Sequence, residues 1–76
     1  MIRKQLPDGH LEMFVIYDHP KDYPGHFIVR RWMGGKPTQD FAIADSLEAA
    51  RAEVPAGMYR LPHHPGEDDV IAETWL

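Results

Sequence analysis

Short apolar runs alternate with polar segments along the chain, and proline or glycine stands between most of them. Two such runs cover residues 11–17 and 26–33, and they are separated by residues 18–25. Both runs are rich in Val, Ile, Phe, Tyr and Trp, which favour strands. The segment between them holds two prolines and a glycine, which exclude a helix there. The pattern predicts two antiparallel strands joined by a long loop.

Alternation within these strands predicts which face is buried. Successive residues of a strand point to opposite sides of the sheet. In the second strand, Phe27 and Val29 share one face, whereas Ile28, Arg30 and Trp32 share the other. We expect the Phe27 face to form the core. The first strand carries apolar residues on both faces, so we expect both of its faces to be partly covered.

Further strands are predicted before and after this hairpin. Residues 2–6 precede a Pro-Asp-Gly turn, and we expect them to pair back as an edge strand. A Gly-Gly-Lys-Pro turn leads into a third strand at residues 38–44. Residues 58–61 and 70–75 are predicted to form a final hairpin.

One helix is predicted, over residues 46–54. Asp45 suits the N-cap and Glu48 follows three residues later, which is the pattern of a capping box. Leu47, Ala50 and Val54 fall on one side at helical spacing, together with the stem of Arg51, and a Pro-Ala-Gly segment ends the helix. So short a helix is marginal alone in water, and we expect it to dock on the sheet.

The predicted order of elements defines the fold class. We expect an α+β fold: a small antiparallel sheet of four to five strands with one helix packed on one face, in a single domain of residues 1–76. A chain of this length buries only about 60% of the surface that its unfolded form exposes. No cysteine is present, so neither disulfides nor cysteine metal sites can supplement the small core.

Charge is unevenly distributed along the chain. Residues 1–36 hold six basic and four acidic residues, and residues 37–76 hold two basic and eight acidic, which gives +2 and −6 and a net charge of −4. The acidic second half argues against a general binder of phosphate backbones. No run approaches the roughly 20 apolar residues that span a bilayer, and the first residues lack the pattern of a secretory signal. We therefore expect a cytoplasmic protein without membrane contact.

Catalytic motifs do not occur in the sequence. It has no Cys nucleophile, no Gly-x-Ser-x-Gly elbow and no glycine-rich phosphate-binding loop. The carboxylates are plentiful, but no pair stands out for acid–base catalysis. We expect a protein that is not an enzyme and needs no cofactor.

Histidine and carboxylate side chains concentrate in two predicted loops. The first loop holds Asp18, His19, Asp22 and His26, and the second holds His63, His64, Glu67, Asp68 and Asp69. A mixed site would form only if both loops lay at the same end of the sheet, and the spacing matches no common zinc motif. We expect solvated histidines and no metal site.

The remaining candidate chemistry is recognition by aromatic and arginine side chains. Tyr, Trp and Arg are the residues that anchor protein interfaces. The predicted binding residues are Tyr17, His19, Asp22, Tyr23, Arg30 and Trp32. Their expected partner is a protein, with a second copy of the chain as one candidate. The alternative is single-stranded nucleic acid, because aromatic residues beside arginine on a sheet can stack bases.

A resemblance to small uncharacterised proteins of bacteria and their phages rests on four segments. These are Tyr17-Asp18-His19-Pro20-Lys21-Asp22-Tyr23-Pro24, Phe27-Ile28-Val29-Arg30-Arg31-Trp32, Ala44-Asp45-Ser46-Leu47-Glu48-Ala49-Ala50-Arg51 and Glu73-Thr74-Trp75-Leu76. The resemblance covers most of the chain and brings no established activity. A mobile-element origin would imply a small acidic modulator of a host protein, similar to anti-CRISPR inhibitors.

Overall fold

The computed structural model describes residues 11–61 and 69–76. They form one sheet and one helix, which confirms the predicted α+β class. Five strands lie in the order β3-β2-β1-β5-β4, and every neighbouring pair is antiparallel. The elements are β1 (Glu12–Asp18), β2 (Phe27–Met33), β3 (Lys36–Ala44), α1 (Leu47–Ala52), β4 (Arg60–Leu61) and β5 (Ile71–Trp75).

The predicted hairpin forms the centre of the sheet. Its strands pair over their whole length, with Ile16 opposite Val29 and Tyr17 opposite Ile28. β1 is the middle strand, because β5 pairs along its other side. The loop between β1 and β2 turns at Pro20–Tyr23, where the Tyr23 N–H donates to the Pro20 carbonyl at 2.9 Å.

The side of the sheet that carries α1 holds the core, as the alternation in β2 predicts. Ile16, Val29, Ala44 and Ala50 are buried together. Half-buried side chains from the strands and the helix surround them: Phe14, Phe27, Leu47, Val54, Ala72 and Trp75. Alanine at positions 44 and 50 has no side chain beyond Cβ, so the helix can lie close to the strands. We call this side the helix face.

The start of the helix differs from the prediction. Ser46, and not Asp45, is the N-cap: its backbone is extended, and its hydroxyl accepts a hydrogen bond from the Ala49 N–H at 3.0 Å. With Ser46 at the cap, Glu48 falls in the first turn and is not the third residue of a capping box. Its carboxylate there still favours the positive end of the helix dipole. The helix ends at Ala52, with Glu53 as the C-cap.

The β2–β3 connection is a two-residue turn at Gly34–Gly35. Both glycines have positive φ, of 59° and 82°, which the favoured hairpin turn requires. β3 then pairs with β2 except at one register shift, where Arg31 alone faces residues 38–40. Thr38 satisfies backbone groups at that shift, because its hydroxyl donates to the Arg31 carbonyl at 2.7 Å and accepts from the Asp40 N–H at 3.1 Å.

The final hairpin is confirmed, although β4 has only two residues. Arg60 pairs with Trp75 and Leu61 with Thr74, while Tyr59 and Leu76 exchange backbone hydrogen bonds just beyond them. The predicted strand at residues 2–6 lies outside the described residues, as does most of the second histidine loop. Within residues 11–61 and 69–76, no helix has the length and apolar character needed to cross a membrane.

Candidate functional site

The sheet surface on the side away from α1 carries three of the six predicted binding residues, Tyr17, Arg30 and Trp32. Directly paired residues of antiparallel strands share a face, so the register places Tyr17 beside Ile28, Val15 beside Arg30 and Met13 beside Trp32. We call this surface the open face. From the register and the alternation along each strand, its members include Met13, Val15, Tyr17, Ile28, Arg30, Trp32, Phe41, Ile43, Tyr59, Leu61, Ile71 and Thr74.

The open face exposes large apolar side chains at both edges of the sheet. On β3, Phe41 is 42% exposed and Ile43 is 50% exposed. At the other edge, Tyr59 and Leu61 are exposed as well. Between these edges Val15 and Ile28 are buried. Single exposed apolar residues are ordinary, but a sheet face that displays several of them is typical of an interaction surface.

Arg30 stands near the middle of this surface. The β2–β3 register sets it opposite Phe41, and its guanidinium carbon lies 4.9 Å from the centre of the Phe41 ring. That distance is within the range of a cation–π interaction. One N–H, on Nη1, donates to the Thr38 carbonyl at 2.7 Å. These two contacts fix the guanidinium over β3, half-buried among aromatic and aliphatic groups.

Arg30 differs from the other arginines in the described part of the chain. Arg31 donates to Glu12 at 2.6 Å and to Asp40 at 3.2 Å. Arg51 and Arg60 both pair with Glu73. Arg30 alone among these four has no carboxylate partner within the described residues. Among the described residues, the partners of its charge are a carbonyl dipole and a ring face.

Tyr17, Tyr23 and Trp32 extend the aromatic surface around Arg30. The Trp32 indole N–H donates to the Tyr17 hydroxyl at 3.2 Å, which leaves the Tyr17 proton available for an acceptor. Tyr23 reaches back from the β1–β2 loop, and its ring centre lies 6.0 Å from that of Phe41. The loop thus packs along one end of the open face.

A small cavity lies where the loop meets the strands. It has a volume of about 110 Å³ and is lined by Tyr17, Pro20, Asp22, Tyr23, Ile28 and Arg30. This volume is well below the roughly 300–1,000 Å³ of common small-molecule pockets. It suits a single side chain better than a cofactor. Four of the six predicted binding residues, Tyr17, Asp22, Tyr23 and Arg30, line it, and Trp32 adjoins it through Tyr17.

His19 is the predicted site residue that the structure separates from the others. Its φ of 51° is in the left-handed region, which turns the chain at the end of β1. The ring packs against Phe27, with centres 5.0 Å apart, and its Nδ1 contacts the Asp18 carboxylate. Phe27 belongs to the helix face, so His19 does not contribute to the cavity beside Arg30.

The histidines of the first loop do not gather around a common centre. His26 Nδ1 lies 3.1 Å from a carboxylate oxygen of Asp45, at the start of the helix, whereas His19 contacts Asp18. In the part of the chain that the structure describes, no three His, Asp or Glu side chains are placed to hold a metal ion. His63 and His64 lie outside that part.

The helix face contains a buried carboxylate that the sequence pattern does not indicate. Glu73 is only 8% exposed and lies in β5 opposite Ile16. Both of its oxygens accept from Arg51 Nε at 3.0 Å, and it also accepts from Arg60 at 3.2 Å and from the Trp75 indole at 3.1 Å. The hydrogen bonds from Arg51 are the main cause that lowers the pKa of Glu73, and burial opposes them. This network ties α1 to β5 and β4.

Phe41 and Ile43 are the site residues that sequence reasoning omitted. Their shared face was evident from alternation, since positions 41 and 43 are two apart in a strand. What the sequence lacked was the register that sets Phe41 opposite Arg30, because a shift within the β2–β3 pairing changes which residues meet. The signal that could have found them is a pair of large apolar residues on the face opposite Ala42 and Ala44, which pack toward the helix.

Comparison of the chain with protein-family models, with curated proteins and with solved structures found no match. The resemblance to small bacterial and phage proteins therefore stays a prediction. Function has to be inferred from the two faces of the sheet.

Proposed function

We propose that the protein is a non-catalytic protein-binding module and that its partner docks on the open face. The observation that carries this proposal is the exposure of Phe41 and Ile43 beside an arginine that has no carboxylate partner in the described residues. Aromatic residues and arginine supply most of the anchoring residues of protein interfaces. A rigid five-stranded sheet presents them with little conformational entropy to lose on binding.

The size of the open face sets the kind of complex that it supports. Five strands about 4.8 Å apart and seven residues of about 3.3 Å each give a flat area of roughly 20 by 23 Å. A standard interface buries about 800 Å² on each partner. That is about 15% of the total accessible surface of 5375 Å². A stable complex therefore needs the loop at residues 18–25 as well as the strands, or else it is transient.

Affinity capture from a lysate of the organism that makes the protein tests the proposal. Half of the sample is treated with nuclease, and captured proteins are compared between the wild type and a Phe41→Thr/Ile43→Thr variant. Both side chains are exposed, and threonine retains strand propensity, so the variant should fold. Lys36→Gln, an exposed change at the start of β3, is the matched control.

We expect one protein to survive nuclease treatment and to bind the wild type and the control alike. It should be recovered at least tenfold less on the double variant. A captured protein that binds the double variant equally well would contradict docking on the open face. Sedimentation at increasing concentration identifies the case in which the partner is a second copy of the chain.

The central side chains give a second test. Arg30→Ala combined with Trp32→Ala should reduce affinity for the captured partner by more than tenfold, while the domain remains folded. Trp32 is half-buried and bonded to Tyr17, so some loss of stability is expected. Thermal melts followed by circular dichroism measure it. If the double variant is unfolded, these side chains are structural and this argument for the site fails.

Single-stranded nucleic acid is the second candidate ligand. Tyr17, Tyr23, Trp32 and Phe41 beside Arg30 resemble a surface that stacks bases. The net charge of −4 opposes this function. Phosphate contacts make the affinity for nucleic acid fall steeply as the salt concentration rises. Oligonucleotide binding is therefore measured at low and at physiological salt, and its loss near physiological salt would show that phosphate contacts supply most of the affinity. Modulation of a host protein, as the phage resemblance implies, is one form of the protein-binding function.

A further inference from the structure

Within the described residues, Arg30 uses one of the five N–H donors of its guanidinium. That donor binds the Thr38 carbonyl, and no other described residue accepts from the remaining four. A charged acceptor stabilises a half-buried cation more than a fully solvated one, because water screens the half-buried charge less. The guanidinium can therefore bind a further, charged acceptor.

The cavity beside Arg30 defines where an acceptor would sit. Arg30, Tyr17 and Tyr23 line it together. The Tyr17 hydroxyl accepts from Trp32 and keeps its own proton, and the Tyr23 hydroxyl has no hydrogen-bond partner among the described residues. One arginine and two tyrosines, all able to donate hydrogen bonds, thus line a space of about 110 Å³. Carboxylates match a guanidinium fork in geometry and accept several donors at once.

We propose that this cavity receives the carboxylate side chain of an acidic residue in the protein partner. The inference rests on the proposed function and adds the chemistry of one partner residue. Phe41 and Ile43 then contact apolar residues that flank the acidic one.

Asp22 separates a single carboxylate from a nucleic-acid strand as the occupant. It lines the same cavity and makes no ion pair with Arg30. Its charge opposes any anion that enters, and it opposes a row of phosphates more than the single charge of one acidic side chain, which Arg30 can pair.

A random 12-residue peptide library displayed on phage tests the proposal. It is selected on the wild-type protein after depletion on Arg30→Gln, and a dT12 oligonucleotide is tested in parallel. We expect enriched peptides to share one Asp or Glu at a fixed position with apolar neighbours. Replacing that residue by its amide should weaken binding at least tenfold, and so should Arg30→Gln. The two changes together should cost little more than either alone.

Control variants separate the role of charge from that of folding. Lys36→Gln removes one positive charge outside the cavity and should leave peptide affinity within twofold. Arg30→Lys retains the charge but not the fork, so we expect an intermediate loss. Thermal melts of each variant show whether the fold is intact. If Arg30→Gln is unfolded, the peptide affinities of the other proteins are compared instead. The inference then requires that Arg30→Lys binds more weakly than both the wild type and Lys36→Gln.

Several results would overturn the inference. Enriched peptides that lack an acidic residue but need Phe41 would refute it and leave the proposed function standing. If no peptide is enriched, the inference is refuted. The proposed function is then still tested separately by capture from lysate. Binding of dT12 that depends on Arg30, without acidic peptides, would assign the cavity to phosphate.

Discussion

Arginine and isoleucine occur on both faces of the sheet, but their partners and their burial differ between the two faces. On the helix face, Arg31 and Arg51 are paired with carboxylates, and Ile16 is fully buried. On the open face, Arg30 has a carbonyl and a ring as its partners, and Ile43 is half exposed. Satisfied charges and filled space stabilise a fold. Exposed apolar area and a cation without an anionic partner among the described residues are features that a partner can bind, and for this reason we propose binding on the open face and expect the helix face to stabilise the fold.

The largest expected difference between the faces is in the loss of stability when isoleucine is replaced by alanine, once on each face. Ile16→Ala removes a fully buried side chain beside Val29 and should lower the free energy of unfolding by about 3–4 kcal/mol. Ile43→Ala removes the same atoms from a side chain that is 50% exposed, and should cost under about 1 kcal/mol. Urea unfolding measures both. Equal losses would mean that the open face is also core.

The next largest effect concerns the buried carboxylate. Glu73→Gln removes the charge that Arg51 and Arg60 share, and should cost about 2 kcal/mol of unfolding free energy. This is less than the roughly 3–5 kcal/mol for a broken buried ion pair, because both arginines are partly exposed to solvent. Chemical denaturation gives the value. Glu48→Gln, an exposed change on the same helix, is the control, and a similar loss there would point to a general charge effect.

A pH titration of stability examines the same carboxylate without mutation. Arg51 holds the pKa of Glu73 below its usual value of 4.5. The carboxylate therefore adds stability that is complete above the unfolded pKa and is lost as pH falls through the lower folded pKa. We expect the melting temperature of the wild type to fall below about pH 4.5 more steeply than that of Glu73→Gln. If the melting temperatures of the two proteins fall in parallel with pH, Glu73 is not the cause of the acid sensitivity.

The smallest effect distinguishes the two candidate helix caps. Ser46→Ala removes the hydroxyl that accepts from the Ala49 N–H and should cost about 1 kcal/mol of unfolding free energy. Asp45→Ala should cost less, since Asp45 is exposed and does not cap the helix. Both are measured by thermal melts under the same conditions. A larger loss of stability for Asp45→Ala than for Ser46→Ala would indicate that Asp45 is the N-cap, as the sequence pattern predicts.

The strands and the buried face of β2 could be predicted because they follow from local alternation. Phe27 and Val29 lie on the helix face as expected, and the glycine turn before β3 has the backbone that its sequence implies. The choice of N-cap failed because Asp45 and Ser46 are adjacent and both suit the position. Such a choice depends on where the preceding strand ends, and not on residue preference alone.

The features that could not be predicted depend on contacts between residues that are distant in the sequence. A glutamate within an apolar strand gives no sign of burial until Arg51, 22 residues earlier, is known to reach it. The positive φ of His19 likewise removes that side chain from the site, although its position in the loop suggested membership. Arg30 and Phe41 meet only because the β2–β3 register shift begins after that pair.

The position of β5 beside β1 has a consequence for the order of folding. Phe14 and Trp75 are paired although they lie 61 positions apart in the sequence, whereas β1, β2 and β3 are consecutive along the chain. Contacts that are distant in sequence form more slowly, since a longer loop must close first. The meander of β1–β3 can therefore assemble early, and it already brings Tyr17, Arg30 and Phe41 together. The helix face needs Glu73 of β5, so we expect the part of the open face on β1–β3 to form before the sheet is complete.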